Sequence, residues 1–250
     1  MARFPAALAE RAASLLVLLV VWEATARIAH SRLFPGVGTV LATLVDDALH
    51  GELLHDLGAT LARVAVAFTL AMAAGTALGI AMARSRAIDT LLDSGVVLLL
   101  NLPALVIAVL LYIWLGLTEA AAIGAVTLSK LPAVVVTLRE GARTLDRDLA
   151  DMARSFHFGR WRTFRHVTLP QLSPYFLISS RTGLSLIWKI VLVVELLGRP
   201  DGIGYAIQVF FQLFDVRRLI AYALAFVAVV LAVEWGVLQP LERRLARWRR

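Results

Sequence analysis

About six apolar runs, each near the length that crosses a bilayer, do most to restrict the fold open to this chain. They fall at roughly 12–29, 58–82, 91–115, 120–138, 174–197 and 218–239. A hydrocarbon core takes roughly 20 apolar residues in helical form. Inside lipid the backbone must also satisfy its own N–H and C=O groups, which a helix does without a partner segment. The expectation is an all-α, polytopic membrane protein of about six transmembrane helices, with residues 1–250 forming one transmembrane domain. A chain that is 60% hydrophobic, with a mean hydropathy of +0.78, is too apolar to be a soluble domain of this size. The first run, Ser14–Trp22, follows Arg3 and Arg11 and resembles a signal-peptide core, with Ala24-Thr25-Ala26 shaped like a cleavage site. Its apolar character continues towards Ala29, so it is expected to be retained as the first helix.

Arginine orients the runs. Arg3, Arg11, Arg84, Arg86, Arg139, Arg143, Arg147, Arg154, Arg160, Arg162, Arg165, Arg243, Arg244, Arg247, Arg249 and Arg250 share one side of that topology. Asp46, Asp47, Glu52, Asp56, Glu119 and Asp201 share the other. Basic loops stay in the cytoplasm, which places both termini and the 139–173 segment there. The same rule accounts for the net charge of +7 without nucleic acid. The chain has no cysteine, and its five histidines show no metal-ligand spacing, so thiol chemistry is excluded and no metal site is expected.

Between the first two runs lies an outer segment, 31–57. Pro35 and Gly36 open it, and Val37, Val40, Leu41, Leu44, Val45 and Ala48 recur at helical spacing while Asp46 and Asp47 face elsewhere. An amphipathic helix at the interface follows, serving either as a contact for an external partner or as a plain surface connection. Gly75-Thr76-Ala77-Leu78-Gly79 is a small-residue step that lets helices approach closely. Pro103 and Pro132 are expected to kink or locally open their helices.

The 139–173 segment is polar and basic where its surroundings are apolar. Leu145–Phe158 has a helical composition, with Leu149, Met152, Ala153 and Phe156 on one face. Asp146, Asp148 and Asp151 sit early, Arg154 sits later, and Gly159 can end the helix. Arg160-Trp161-Arg162-Thr163-Phe164-Arg165-His166 forms a basic-aromatic second turn before Leu169-Pro170 and Ser173-Pro174 start the next span. A solvated loop with snorkelling arginines needs less order than this. A docking surface is the more economical reading.

Asp151-Met152-Ala153, Arg160-Trp161, Phe164-Arg165 and Val167-Thr168-Leu169-Pro170 together resemble the EAA loop of ABC importer permeases. Leu33-Phe34-Pro35, Trp114-Leu115-Gly116-Leu117 with Glu119, Trp188-Lys189 with Glu195-Leu196, Gly202-Ile203-Gly204-Tyr205 and Leu241-Glu242-Arg243-Arg244 are similar to the nitrate/sulfonate/taurine-type branch of that type I family. The resemblance covers nearly the whole chain. It departs from the family where Asp151 replaces a Glu, Met152 the first Ala, and His157 the usual Gly, with Gly159 two positions later. Asn101 and Val109 also stand where relatives often carry prolines.

The resemblance implies the translocation subunit of an ATP-driven, binding-protein-dependent importer in a bacterial inner membrane. Its cargo would be a small anion such as nitrate, an aliphatic sulfonate, taurine or bicarbonate. It implies two ATP-binding subunits carrying the ATP and Mg, a second permease copy in a homodimer, and an extracytoplasmic binding protein. The chain itself has no phosphate-loop motif, so no cofactor and no ATPase activity are expected of it. The coupling helix implied is 146–158, with Met152, Phe156 and His157 as knobs and Asp151 and Arg154 as orienting groups.

Ionisable residues in spans are functional candidates by default. Arg181, Ser185 and Lys189 form a stripe at i, i+4 and i+8, Lys130 lies in the fourth run, and Glu195 is placed to pair with Arg199. The stripe either lines an anion path or holds the bundle together through helix ends and acids such as Glu234. A stand-alone secondary transporter or channel is the competing class. It would need no docking helix, and the paired broken helices of inverted repeats are not evident.

Overall fold

The computed structural model describes residues 3–240, with side chains from residue 13 onwards except at 147, 150, 160, 237 and 238. The arginines at 243, 244, 247, 249 and 250 and the Leu241-Glu242 pair lie outside the described residues, as do the side chains of Arg3 and Arg11. Every described element is helical. In chain order they are α1 (Arg3–Ala29), α2 (Val37–His50), α3 (Leu53–Arg84), α4 (Arg86–Asn101), α5 (Ala104–Leu115), α6 (Glu119–Arg143), α7 (Arg147–Ser155), α8 (Arg160–Thr163), α9 (Leu169–Gly198), α10 (Ile203–Gln212) and α11 (Val216–Val233). A π-turn, Phe164–Thr168, joins α8 to α9, and a second, Glu234–Leu238, extends α11.

Among the described residues, four stretches are long and apolar enough to cross a membrane: Leu53–Arg84, Glu119–Arg143, Trp161–Gly198 and Val216–Gly236. The expected third span, 91–115, is not one straight helix. α4 and α5 meet at 104°, making a broken span or a re-entrant pair. Pro103 explains the break: it has no N–H to continue the ladder, and it drives Leu102 into extended backbone at φ −74°, ψ 127°. Pro132 does not interrupt its helix as Pro103 does. It is buried inside α6, which continues through it to Arg143. The first run is helical over Arg3–Ala29, and Leu15–Val21 are all exposed.

The centre is a trio in which α3 and α6 run parallel and α9 runs antiparallel to both. α3 and α6 pack most closely, and α9 lies against both. The small-residue step explains this. A Cβ added to Gly75 would stand 2.6 Å from Cβ of Val134, and one added to Gly79 would stand 2.7 Å from the carbonyl oxygen of Val135. The α3 backbone therefore lies directly on α6, with Ala67, Ala71, Ala121, Ala122 and Ala125 buried around it. Ile187, Val191, Val194, Tyr222 and Phe226 complete the core.

α2 forms as expected over Val37–His50, but its inward face differs from the one predicted. Val40 and Asp47 are buried, whereas Leu41, Val45 and Leu49 are exposed. It packs on α11. Its entry is tied to α1: Glu23 Oε2 accepts from Val37 N at 2.9 Å, and Trp22 Nε1 donates to Pro35 O at 3.0 Å. A Cβ on Gly36 would stand 2.8 Å from that Glu23 carboxylate.

Candidate functional site: an outward-facing loop helix and a buried charge cluster

The loop helix is shorter than the 145–158 expected. Asp146 caps it, accepting from Asp148 N at 2.8 Å, and it ends at Ser155. Gly159 does not terminate it. His157 does, with φ at +53°. Phe158 N donates to Ala153 O at 2.8 Å and His157 N to Arg154 O at 2.9 Å, the two bonds of a Schellman motif with His157 at the left-handed position. The resemblance put the family's glycine at that position. Here a β-carbon stands in conformational space that favours glycine.

The predicted apolar face of α7 divides. Ala153 is 1% exposed and anchors the helix inward. Leu149, Met152 and Phe156 point away from the bundle, Phe156 at 72% exposed. Asp151 and Arg154 are exposed and pair with each other at 2.9 Å. Trp161 is exposed beside Phe164, their rings 6.0 Å apart, and Arg162 lies 5.4 Å over Phe158. The basic-aromatic turn is the first part of the long α8–α9 helix, which runs on through Pro170 and Pro174. Beneath it, Arg139 reaches Asp93 at 2.5 Å and Asp89 at 3.2 Å, and Arg143 reaches Asp89 at 2.5 Å, joining α6 to α4.

At the opposite end of the bundle a second charged group appears, centred on Arg63. Its guanidinium is 4% exposed and uses every nitrogen. Nε donates to Glu119 at 2.7 Å, Nη1 to Glu195 at 2.8 Å and to Asp201 O at 3.0 Å, and Nη2 to Glu119 at 3.1 Å and to the Asp201 carboxylate. The expected Glu195–Arg199 pair does not form. Glu195, 0% exposed, belongs to Arg63, and Arg199 pairs with Glu119 at 2.8 Å.

Glu195, together with Asp56 and Thr60, also holds the start of α10. Asp56 accepts from Gly202 N at 2.8 Å, Thr60 from Ile203 N at 2.9 Å, and Glu195 from Gly204 N at 2.9 Å. Three amide groups that a helix start leaves unpaired are thereby satisfied from α3 and α9. Gly202 is at φ +101°, and a Cβ there would meet the Glu195 carboxylate and Arg63 Nη1 at 2.5–2.7 Å.

Arg63, Thr60, Asp56, Glu119 and Asp201 were absent from the sequence-based candidates. One signal was available: Arg63 stands alone in an otherwise apolar run. Of the candidates that were named, Lys130 is buried against Gly183, where a Cβ would lie 3.0 Å from Nζ. Arg181, Ser185 and Lys189 share the exposed face of α9, with Ser185 Oγ donating to Arg181 O at 3.2 Å. The structure does not gather Lys130 with this stripe: it lies in the α6–α9 contact, and the stripe faces outward.

A helical membrane bundle with a broken span, a charge-locked end and an outward-facing helix at the other end has the form of a transporter's membrane subunit. The chain belongs to the binding-protein-dependent transport system inner membrane component family, whose model matches residues 71–246. It is thus a permease subunit of a binding-protein-dependent ABC importer, in which a separate subunit hydrolyses ATP.

It is 28% identical to the SsuC protein of Bacillus subtilis (strain 168), named for aliphatic sulfonates transport, over 93% of this chain and 85% of that one. To SsuC of Escherichia coli (strain K12) it is 29% identical over 92% and 88%, and to the taurine transport permease TauC of the same strain 27% identical over 94% and 88%. A solved structure of an amino acid ABC transporter shares the fold at a TM-score of 0.61, with 21% identity over 77% of this chain and 93% of that one.

Proposed function

We propose that two copies of this chain form the translocation path of an importer for a small sulfonate-like anion. Two ATPase subunits drive it through α7, and a soluble binding protein delivers the cargo at the opposite end. The loop end is cytoplasmic in this reading, as its arginines require. The observation that carries the coupling role is the outward set of Leu149, Met152 and Phe156 on a short, capped helix. Apolar side chains exposed on a polar loop helix are accounted for by a protein partner. The neighbouring Asp151–Arg154 pair supplies polar register around them. The anion preference is supported by the names of the relatives and by the polar face of α9.

The test is co-purification and ATPase assay in lipid of the chain expressed with its neighbouring genes. Phe156→Asp changes an exposed side chain and leaves the fold intact. It is expected to release the ATPase subunit or to cut transport-linked hydrolysis by at least tenfold. Full coupling in Phe156→Asp would mean that α7 is not the docking helix.

A further inference from the structure

At the end of the bundle away from α7, α2, the start of α3, α10 and the start of α11 enclose a cavity of about 270 Å³. Its wall is acidic on one side, through Asp47, Glu52 and Asp56, and aromatic on the other, through Tyr205, Phe210 and Tyr222. Asp47 is 5% exposed, yet its Oδ2 accepts no hydrogen bond. A carboxylate oxygen buried in that condition is costly unless a cation completes it. Part of the answer comes from within the chain: Arg218 Nε lies 3.2 Å from that oxygen, outside hydrogen-bond geometry, with its guanidinium 6.0 Å over the Phe210 ring. Arg218 is itself half-exposed at the mouth. One cation thus faces three carboxylates, and the aromatic rings offer further cation–π surface.

The rim is apolar and raised. The turn between α10 and α11 exposes Phe211, Leu213 and Phe214, the last 74% exposed and held at φ +55°. That left-handed turn closes α10 through Asp215 N donating to Phe210 O at 2.9 Å and Phe214 N to Phe211 O at 3.2 Å, and it holds the Phe214 ring outward. On α2 and α3, Leu49 and Leu54 are exposed on the other side of the acidic wall. An acidic-aromatic pocket with an apolar collar matches the anatomy of an interface hot spot awaiting a basic anchor.

We propose that this pocket receives a lysine or arginine side chain of the extracytoplasmic binding protein, with Phe211, Leu213 and Phe214 covered around it. The assignment rests on the importer reading, which puts this end outside. Charge complementarity favours a protein cation over lipid, since Glu52 and the buried Asp47 repel anionic headgroups.

The experiment uses the complete transporter reconstituted in nanodiscs of neutral lipid, titrated with the purified binding protein of the same system, and reads ATPase activity. Glu52 is exposed and outside the Arg63 cluster, and Glu52→Lys reverses one charge of the acidic wall. It is expected to raise the binding-protein concentration for half-maximal stimulation by about tenfold, and Asp47→Asn by a similar factor. Raised salt should do the same to the unmodified protein. A photo-crosslinking residue in place of Phe214 should capture the binding protein. Unchanged half-maximal concentrations in both variants, or crosslinks to lipid or to a second copy of this chain, overturn the proposal. A lack of any binding-protein response in the unmodified transporter overturns the importer reading itself, and the pocket's assignment falls with it.

Discussion

Arg63 shows how a single side chain can decide the arrangement of four segments. Its five donors reach Glu119 at the start of α6, Glu195 in α9 and Asp201 in the connection to α10, all from α3. Such a group is worth little in net folding energy when whole, because burying the charges costs nearly what their attraction returns. Removing one member is another matter. Arg63→Ala leaves Glu195 fully buried with its counter-charge gone. It is expected to lower stability by about 3–5 kcal/mol, read as a large fall in the unfolding midpoint in detergent. Glu195→Gln keeps an acceptor towards Arg63, Thr60 or Gly204 and should cost less, about 1–3 kcal/mol. Equal losses in the two variants would mean that the cluster acts by packing and that charge is incidental.

At the scale of elements, the loop helix is capped at both ends by means that can be separated. Asp146 closes the start, and the Schellman bonds around His157 close the end. A left-handed β-carbon costs roughly 1–2 kcal/mol. His157→Gly is expected to recover about 1 kcal/mol of local helix stability, measured as slower amide exchange at Phe156–Phe158, with the outward Phe156 unmoved. If exchange stays the same or quickens, His157 is held there by contacts made with its ring.

The helical nature of α7 was legible from its acids and from Leu149, Met152, Ala153 and Phe156. The inward turn of Ala153 alone was not legible from the spacing, because periodicity reports a shared face and says nothing of which members are covered. Close helix packing at Gly75 and Gly79 followed from their spacing, and the structure supplies α6 as the partner. The break at Pro103 and the continuous helix through Pro132 did not, since both prolines remove a donor and only the surroundings decide whether the helix is interrupted. The Arg63 cluster escaped because its members lie far apart in sequence, and pairing by proximity along the chain led to Arg199 for Glu195.

For the whole molecule, the exposed face of α9 is the feature a single copy leaves unexplained. Thr182, Ser185 and Lys189 are all exposed along a span whose opposite face, Gly183, Ile187, Val191 and Val194, is buried. A lysine partway along a span is costly against lipid, so this face belongs against a water-filled path or a second copy. Beside a low-dielectric wall, one fixed cation attracts an anion at 4 Å by up to about 4 kcal/mol at an effective dielectric near 20. Only a part of that survives hydration. Lys189→Ala is therefore expected to reduce anion uptake in proteoliposomes by about tenfold, equivalent to ~1.4 kcal/mol. ATPase stimulation by the binding protein should persist, since α7 and the opposite end are untouched. Lys189→Arg should restore most of the flux by returning the charge. Uptake that is unaltered in Lys189→Ala would place this lysine in the contact between copies. In that case the variant should instead weaken the pair, visible as a shift towards single subunits in native mass spectra.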